Sequence, residues 1–174
     1  MGKKVISFGL SAKDINRAIR ELEQYKQDLI RKTDLLREQV AERLAELART
    51  GFAGAVVDDL LNGGQRIAQV DVSIDQRENI TLVIARGEDA IWVEFGAGVH
   101  YNGSAGTSPH PKGAEMGFTI GSYGKGMGKK DTWGFYDDEG TLHLTHGTPA
   151  TMPMYNAVKT VCDEIAEIAR EVFQ

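Results

Sequence analysis

A single long amphipathic pattern near the N-terminus limits what this chain can fold into. Apolar residues recur three, four or seven positions apart in a largely charged stretch, and they are Ile15, Ile19, Leu22, Leu29, Leu36, Val40, Leu44 and Leu47. This spacing places them on one face of an α-helix. An unbroken helix over residues 11–50 would be about 60 Å long at 1.5 Å per residue, which exceeds the diameter of a small domain.

The ends of the predicted helix are marked by capping and terminating residues. Ser11 can accept a hydrogen bond from an orphan amide, and Asp14 can return the bond. Thr50-Gly51 is predicted to end the helix. Either the helix breaks near residues 31–34, where the stripe is weakest, or part of it projects to contact another subunit. A helix that only packs on the core is the alternative, because stripe spacing does not distinguish these roles.

The apolar period changes after this helix. A short apolar segment over residues 52–61 is predicted to form a helical turn. Alternation over residues 70–75 and again over 80–84 predicts a β-hairpin with one buried face. Residues 90–95, which are rich in Ile, Trp and Val, are predicted to form a third strand. The chain is therefore predicted to have an α+β fold, in which an antiparallel sheet over residues 66–95 packs on the long helix.

The second half of the chain begins with a glycine-rich segment over residues 96–130. It contains few periodic apolar residues, so it is predicted to form a long loop or an extended arm that orders on a partner. A second hairpin is predicted over residues 132–146, because two β-prone runs flank a turn signal. A C-terminal helix is predicted over residues 153–173. All of residues 1–174 are predicted to form a single domain.

Composition excludes several classes of function. The formal net charge is −5, so no global basic field favours nucleic-acid recognition. The one cysteine, Cys162, excludes an intramolecular disulfide framework. No apolar span is long enough to cross a bilayer, so we predict a soluble protein with no membrane partner.

The run over residues 121–130 combines glycines and lysines, as phosphate-binding loops do. The Walker spacing needs a glycine five positions before a Gly-Lys pair, but Tyr123 stands there before Gly128-Lys129. Lys130 occupies the position of the required Ser or Thr. The run is therefore interpreted as a flexible loop, and no cofactor is predicted.

Histidines are the next candidates for chemistry. His143 and His146, together with His100 and His110, could be zinc ligands. Residues three apart on a strand point to opposite faces, so the first two converge on one ion only if the strand ends between them. No second cysteine or acidic ligand lies at metal spacing. We interpret the histidines as solvated or hydrogen-bonded, and no metal is predicted.

Glu94 lies at the end of the predicted third strand, before glycines that permit tight turns. As a general acid or base with His110 or His143, it would make the protein a hydrolase acting on a wall or peptide substrate. No serine elbow, activated nucleophile or second carboxylate accompanies it. The alternative is that Glu94 binds backbone amides or a basic side chain, and so fixes the loop or a subunit contact.

Five motifs follow one another between about residues 80 and 157. They are Val93-Glu94-Phe95-Gly96-Ala97-Gly98-Val99, His110-Pro111, Gly121-Ser122-Tyr123-Gly124-Lys125-Gly126, Trp133-Gly134-Phe135-Tyr136, and Gly147-Thr148-Pro149-Ala150 before Pro153-Met154-Tyr155-Asn156-Ala157. Their order and spacing, after a long helix and a sheet, resemble the neck or tail-completion proteins of long-tailed double-stranded DNA phages and prophages. These proteins are minor tail components of the head-to-tail connector. The family commonly has threonine where this chain has Ala97.

The resemblance implies a virion structural protein without catalytic activity, made in the host cytoplasm and located in the tail or neck. It implies a homo-oligomeric ring of about six or twelve copies. The ring would contact connector, head-closure, tail-terminator or tail-tube proteins, and DNA would pass through its lumen without sequence recognition. The assembly and structural residues that the resemblance implies are Glu94, Phe95, Gly96, Gly98, Trp133, Pro153, Met154 and Ala157. A small adaptor that binds a partner through the long helix is a further interpretation.

Overall fold

Two long helices packed side by side organise the fold. A computed structural model describes residues 6, 8–59, 61, 64–97, 108–118 and 132–174. The helices are α1 (Ala12–Ala53), α2 (Ala90–Phe95) and α3 (Pro153–Phe173), and the strands are β1 (Val56–Asp59), β2 (Gly64–Ile67), β3 (Asp71–Gln76), β4 (Thr81–Arg86), β5 (Trp133–Tyr136) and β6 (Leu142–Thr145). Within these described residues the strands pair as antiparallel hairpins, β1 with β2, β3 with β4 and β5 with β6. The predicted α+β class is confirmed.

Helix α1 is continuous over 42 residues, so the considered break near residues 31–34 does not occur. Its N-terminus is capped by Ser11, whose hydroxyl accepts from the Asp14 amide at 3.2 Å and donates to the Asp14 carboxylate at 2.6 Å. The predicted end at Thr50-Gly51 is wrong, because α1 continues to Ala53. Gly51 instead allows close helix packing, since a Cβ at this position would lie 2.8 Å from Cβ of Pro153.

Helix α3 runs antiparallel to α1 and is shorter. Gly51 lies beside Pro153 at one end, and Arg43 donates to Glu164 through Nε at 2.9 Å further along. Lys32 Nζ donates to the carbonyl of Gln174 at 3.1 Å, so α3 ends opposite Lys32. Residues 12–31 of α1 therefore extend about 30 Å beyond α3, at 1.5 Å per residue. We call this part the projecting half of α1.

The hydrophobic core lies where the C-terminal half of α1 meets α2, α3 and the first two hairpins. Its buried members are Ala45, Ala48, Phe52, Ala55, Val57, Val72, Val93 and Ala157. Alanines on both long helices leave little space between neighbouring backbones, in keeping with the dense packing of protein interiors. Leu44 and Leu47 pack against this cluster from the apolar stripe of α1.

The predicted third strand over residues 90–95 is wrong, because these residues form α2. Val93 and Glu94 are both buried, whereas neighbouring residues of a strand point to opposite faces. The Val93 carbonyl accepts from the backbone amides of Thr151 at 3.0 Å and Met152 at 3.4 Å. Contacts with the chain before α3 therefore override the β-propensity of Ile, Trp and Val.

The predicted helical turn over residues 52–61 is also wrong. Phe52 and Ala53 complete α1, and Val56–Asp59 forms β1, which pairs with β2. The sheet predicted over residues 66–95 is consequently divided between separate hairpins. Short strands of four residues carry too little periodic signal to be distinguished from a helical turn.

The glycine-rich segment over residues 96–130 is packed where the structure describes it. Residues 98–107, which include Gly98, lie outside the described residues. Residues 119–131, which include the whole phosphate-loop-like run over residues 121–130, also lie outside them. In residues 108–118, Phe118 is only 2% exposed and His110 is also buried. This part is therefore not an extended arm, because its aromatic side chains belong to the folded domain.

We expect Val93→Ala to lower the free energy of unfolding by about 2 kcal/mol, because the Val93 side chain is fully buried at 0% exposure and would leave a cavity. Urea denaturation followed by circular dichroism measures this loss. Leu10→Ala is the matched control: Leu10 is 93% exposed, so its truncation changes stability by less than about 0.5 kcal/mol. Equal effects of the two changes would contradict the described core.

The ion pair between α1 and α3 generates a pH prediction. The hydrogen-bonded Arg43 guanidinium lowers the pKa of Glu164. The pair therefore stabilises the fold fully above the unfolded glutamate pKa of about 4.3, and this contribution is lost as pH falls through the lower folded-state pKa. Glu164→Gln should lower the urea midpoint at pH 7, and the deficit should shrink on acidification below about pH 4. Glu167→Gln, on the same helix, is the control, and a deficit independent of pH would contradict the assignment.

Candidate functional site

The buried carboxylate of Glu94 caps the N-terminus of α3. Its Oε2 accepts from the Met154 backbone amide at 2.8 Å, and its Oε1 accepts from the Tyr155 amide at 2.9 Å. The negative charge also interacts favourably with the positive end of the helix dipole. Met152 occupies the N-cap position without a capping side-chain hydrogen bond. The cap is thus supplied by another helix, and binding of backbone amides is the role that the structure assigns to Glu94.

The residues before α3 prepare this arrangement. Pro153 begins the helix at a position where its missing N–H is not needed, so the amides that follow are available to Glu94. Met152 adopts the left-handed conformation with φ of 55°, which costs a non-glycine residue about 1 kcal/mol. The hydrogen bonds from Thr151 and Met152 to the Val93 carbonyl hold the chain in this turn. The turn before α3 is therefore fixed to α2 both by these hydrogen bonds to Val93 and by the Glu94 cap.

His110 lies beside Glu94 in a small aromatic cluster. Its Nε2 is 3.3 Å from Oε1 of Glu94, and its ring centroid is 4.3 Å from that of Phe95. Tyr155 also contacts the imidazole, edge to face, with ring centroids 5.3 Å apart. Phe118 stacks on Phe95 at 4.6 Å. We call the group formed by Glu94, Phe95, His110, Phe118 and Tyr155 the Glu94 junction.

Hydrogen bonds within residues 108–118 orient His110. Its Nδ1 accepts from the Lys112 backbone amide at 3.0 Å, so in the neutral ring Nε2 carries the proton and donates toward Glu94. Ser108 donates its hydroxyl hydrogen to the Phe95 carbonyl and accepts from the His110 amide. The segment is therefore attached to the end of α2 by its side chains, through Ser108 on the Phe95 carbonyl and His110 beside Glu94.

A short backbone bridge completes the junction. Ala97 and Thr148 exchange backbone hydrogen bonds of 2.8 Å in both directions. Gly96, immediately before the bridge, has φ of 82°, a conformation that favours glycine. The bridge brings Ala97, which follows α2, next to the residues that precede α3. Motifs separated by about fifty residues in the chain thus meet at one place.

The structure brings together most of the predicted assembly residues. Glu94 and Phe95 belong to the junction, Gly96 supports it, and Pro153 and Met154 form the capped helix start. Ala157, one turn further, is buried in the core. Trp133 begins β5, where its backbone pairs with Thr145. Gly98 lies outside the described residues.

Ser108 and Phe118 are the members of this region that sequence reasoning missed. Both are buried at the junction, yet they lie in a glycine-rich segment without apolar periodicity. The available signal is an aromatic residue, Phe118, eight positions after His110. A single aromatic side chain does not show which distant residue it will contact.

The remaining described histidines form separate pairs. His143 Nε2 lies 2.9 Å from Oδ2 of Asp137, and this hydrogen bond lowers the pKa of Asp137. His146 Nδ1 lies 3.3 Å from Oδ2 of Asp58. In the part of the chain that the structure describes, no group of three or more His, Cys, Asp or Glu side chains could hold a metal ion. His100 lies outside that part.

A cleft of about 330 Å³ separates α2 from the β1–β2 and β5–β6 hairpins. Its described lining includes His143 with Asp137, and Arg66 paired with Asp89 at 2.6 and 2.8 Å. Glu94 is not among these lining residues. The combination of Glu94 with His143 that a hydrolase was considered to use is therefore not assembled in this cleft.

Comparison of the chain with family models, with curated proteins and with solved structures finds no match in any of the three. The fold and the site define an α+β protein in which a buried carboxylate from one helix caps another. Among the described helices, none is both long enough and apolar enough to cross a membrane.

We expect Glu94→Gln to lower the free energy of unfolding by about 1–3 kcal/mol, because the amide group cannot accept both backbone hydrogen bonds and one part-buried N–H of α3 loses its acceptor. Urea denaturation at neutral pH measures this change. Glu167→Gln, an exposed carboxylate later in α3, is the matched control and should leave the midpoint unchanged. Stability of Glu94→Gln equal to that of the control would show that Glu94 does not act as the cap.

Proposed function

We propose that this chain is a virion structural protein of the phage neck or tail end. In this proposal it assembles into a homo-oligomeric ring at the head–tail interface, joins or completes the tail, and lets DNA pass through the lumen. Its partners are further copies of itself and connector, head-closure, tail-terminator or tail-tube proteins. The observation that carries the proposal is the Glu94 junction, because motifs whose order resembles neck and tail-completion proteins meet there.

The chemistry of the junction supports a structural role. Glu94 is 7% exposed, and each of its carboxylate oxygens accepts a backbone amide of α3. A carboxylate used in this way positions two helices relative to each other. His110 is buried beside it and is oriented by the Lys112 amide, so it attaches the 108–118 segment to the same point. The Glu94 junction therefore holds chain segments together, and its Glu94 and His110 side chains are largely closed to solvent.

The shape of α1 supports assembly with other copies. The projecting half extends past α3 and carries apolar side chains that are 38–54% exposed, namely Ile15, Ile19, Leu22 and Leu29. A ring needs subunits with two different complementary surfaces, which a closed set of identical contacts then satisfies. The net charge of −5 also agrees with DNA passing through, since few phosphates would be gripped by such a chain.

The second candidate function is a hydrolase that uses Glu94 with a histidine on a wall or peptide substrate. The 3.3 Å contact between His110 Nε2 and Glu94 Oε1 is the observation that favours it. Against it, the same Glu94 oxygen also accepts the Tyr155 amide, and both side chains are less than a tenth exposed. A substrate would have to displace the cap of α3 to reach this pair.

Negative-stain microscopy and sedimentation velocity of the purified full chain test the proposal. We expect rings with a central opening and a mass that is a whole multiple of the 19.0 kDa subunit, together with binding to purified connector or tail-tube protein. A protein that stays monomeric at high concentration and binds none of these partners would contradict it. A complex with one partner and no ring would support the adaptor interpretation, and cleavage of wall peptides lost in Glu94→Gln would support the hydrolase.

A further inference from the structure

We propose that the projecting half of α1 docks on an outward-facing apolar stripe of α3 in a neighbouring copy. This helix-on-helix contact would be the interface that repeats around the ring. The inference rests on the proposed function and names the surfaces that join its subunits. The partner is a second copy of this chain, and the two contacting surfaces are different parts of it.

Continuity of the α1 stripe is the first observation. Leu44 and Leu47 pack in the body of the protein, where α3 lies alongside α1. The stripe keeps the same helical spacing back through Leu22, so its members stay on the same face of the helix. Because α3 ends opposite Lys32, the earlier part of the stripe extends past its helical partner. A helix from another copy can occupy the position that α3 occupies further along.

A second exposed stripe on α3 is the next observation. Tyr155, Val158, Cys162 and Ile165 follow one another at spacings of three, four and three, as in the seam of a helix pair. They are exposed, with values of 38–45% for the three residues other than Cys162. At about 100° per residue, this stripe is turned about 100° from the buried face that contains Ala157 and Val161. It is available while α3 stays packed on α1.

The α3 stripe is short enough to pair along its whole length with the stripe of the projecting half. The stripe of the projecting half extends from Ile15 to Leu29, about 21 Å, and that of α3 extends from Tyr155 to Ile165, about 15 Å, at 1.5 Å per residue. Leu22 lies at the middle of the first, and Cys162 lies near the middle of the second. If the stripes pair centre to centre, Leu22 lies beside Cys162 whether the two helices run parallel or antiparallel.

Charges at the borders of the stripes are complementary. Glu21 and Glu23 lie on opposite sides of the α1 stripe, whereas one border of the α3 stripe carries Lys159 and Arg170 with Asp163 between them. Opposite charges that flank a helix seam favour pairing and set the choice of partner. Two projecting halves placed together would instead bring glutamates near glutamates, which is unfavourable.

Charges within the stripes follow the same pattern. Lys26 is the charged residue inside the α1 stripe, and Asp163 follows Cys162 beside the stripe of α3. A lysine in a helix seam disfavours apolar partners and pairs best with an acidic neighbour. Since the two surfaces differ, each subunit uses one toward each neighbour, and closure of the series gives a ring.

Disulfide trapping with the native Cys162 tests the contact. Leu22→Cys should form a disulfide under mild oxidation, because sulfur bridges require Cα atoms about 4.4–6.8 Å apart. On a non-reducing gel, we expect a ladder of linked subunits that ends at the ring number. Gln24→Cys, on the opposite side of the same helix, is the matched control and should give no ladder. Absence of a ladder from Leu22→Cys would overturn the inference.

The double variant Leu22→Cys/Cys162→Ser distinguishes pairing of the projecting half with α3 of a neighbour from pairing of two projecting halves with each other. We expect it to stay uncrosslinked, since the neighbour's sulfur has been removed. A crosslinked dimer that persists in this variant would overturn the inference and show that two projecting halves pair with each other. A crosslinked dimer from the parent with native Leu22 would likewise assign the linkage to another contact, because its one cysteine can link only to the Cys162 of another copy.

An assembly measurement supports the trapping experiment. Leu22→Asp should raise the concentration needed for half-assembly by about tenfold or more, because it places a charge in an apolar seam. Gln24→Asp should leave this concentration unchanged, and circular dichroism checks that both variants are folded. Equal assembly of the two variants would overturn the inference.

Microscopy of the same samples separates failure of this inference from failure of the proposed ring. Rings that form without Leu22–Cys162 linkage would leave the ring in place and reject the contact. A ladder obtained from open chains, with no closed rings, would retain the contact and reject the ring.

Discussion

The buried Glu94 carboxylate at the start of α3 is the interaction on which the rest of the structure depends. Burying an ionised carboxylate is unfavourable unless hydrogen bonds replace its water. Here the amides of Met154 and Tyr155 provide those bonds, and the helix dipole adds a favourable field. The same oxygen that accepts from Tyr155 also faces His110, so the position of α2, the start of α3 and the 108–118 segment are determined together.

The position of α3 then decides how α1 is used. The two helices are antiparallel from Gly51 to Lys32, and Arg43 with Glu164 links them midway. α3 covers one half of a stripe that continues along the whole of α1. The architecture thus has a packed body and a projecting helix, and we infer that the second serves assembly. A structural role for the junction and an assembly role for α1 are compatible, because rigid subunits lose less conformational freedom when they associate.

The errors of the sequence predictions come from elements that are very short and from contacts with residues far away in the chain. α2 contains six residues and β1 contains four, which is too short for a period to be measured. The Ile-Trp-Val run of α2 has strand propensity, but Val93 and Glu94 must both face the body, and a helix end achieves this. Gly51 was interpreted as a helix terminator because glycine often has that role, whereas here its lack of a side chain admits Pro153.

The sequence by itself determined the α+β class, the amphipathic character of both long helices, the Ser11 cap and the start of α3 at Pro153. These features depend on neighbours within a few positions, so they can be read from spacing and local propensity. Only the tertiary structure decided that Glu94 caps a helix about sixty residues away, that His110 and Phe118 join it, and that α3 stops opposite Lys32. Such contacts depend on how distant elements pack, which no local pattern in the chain records.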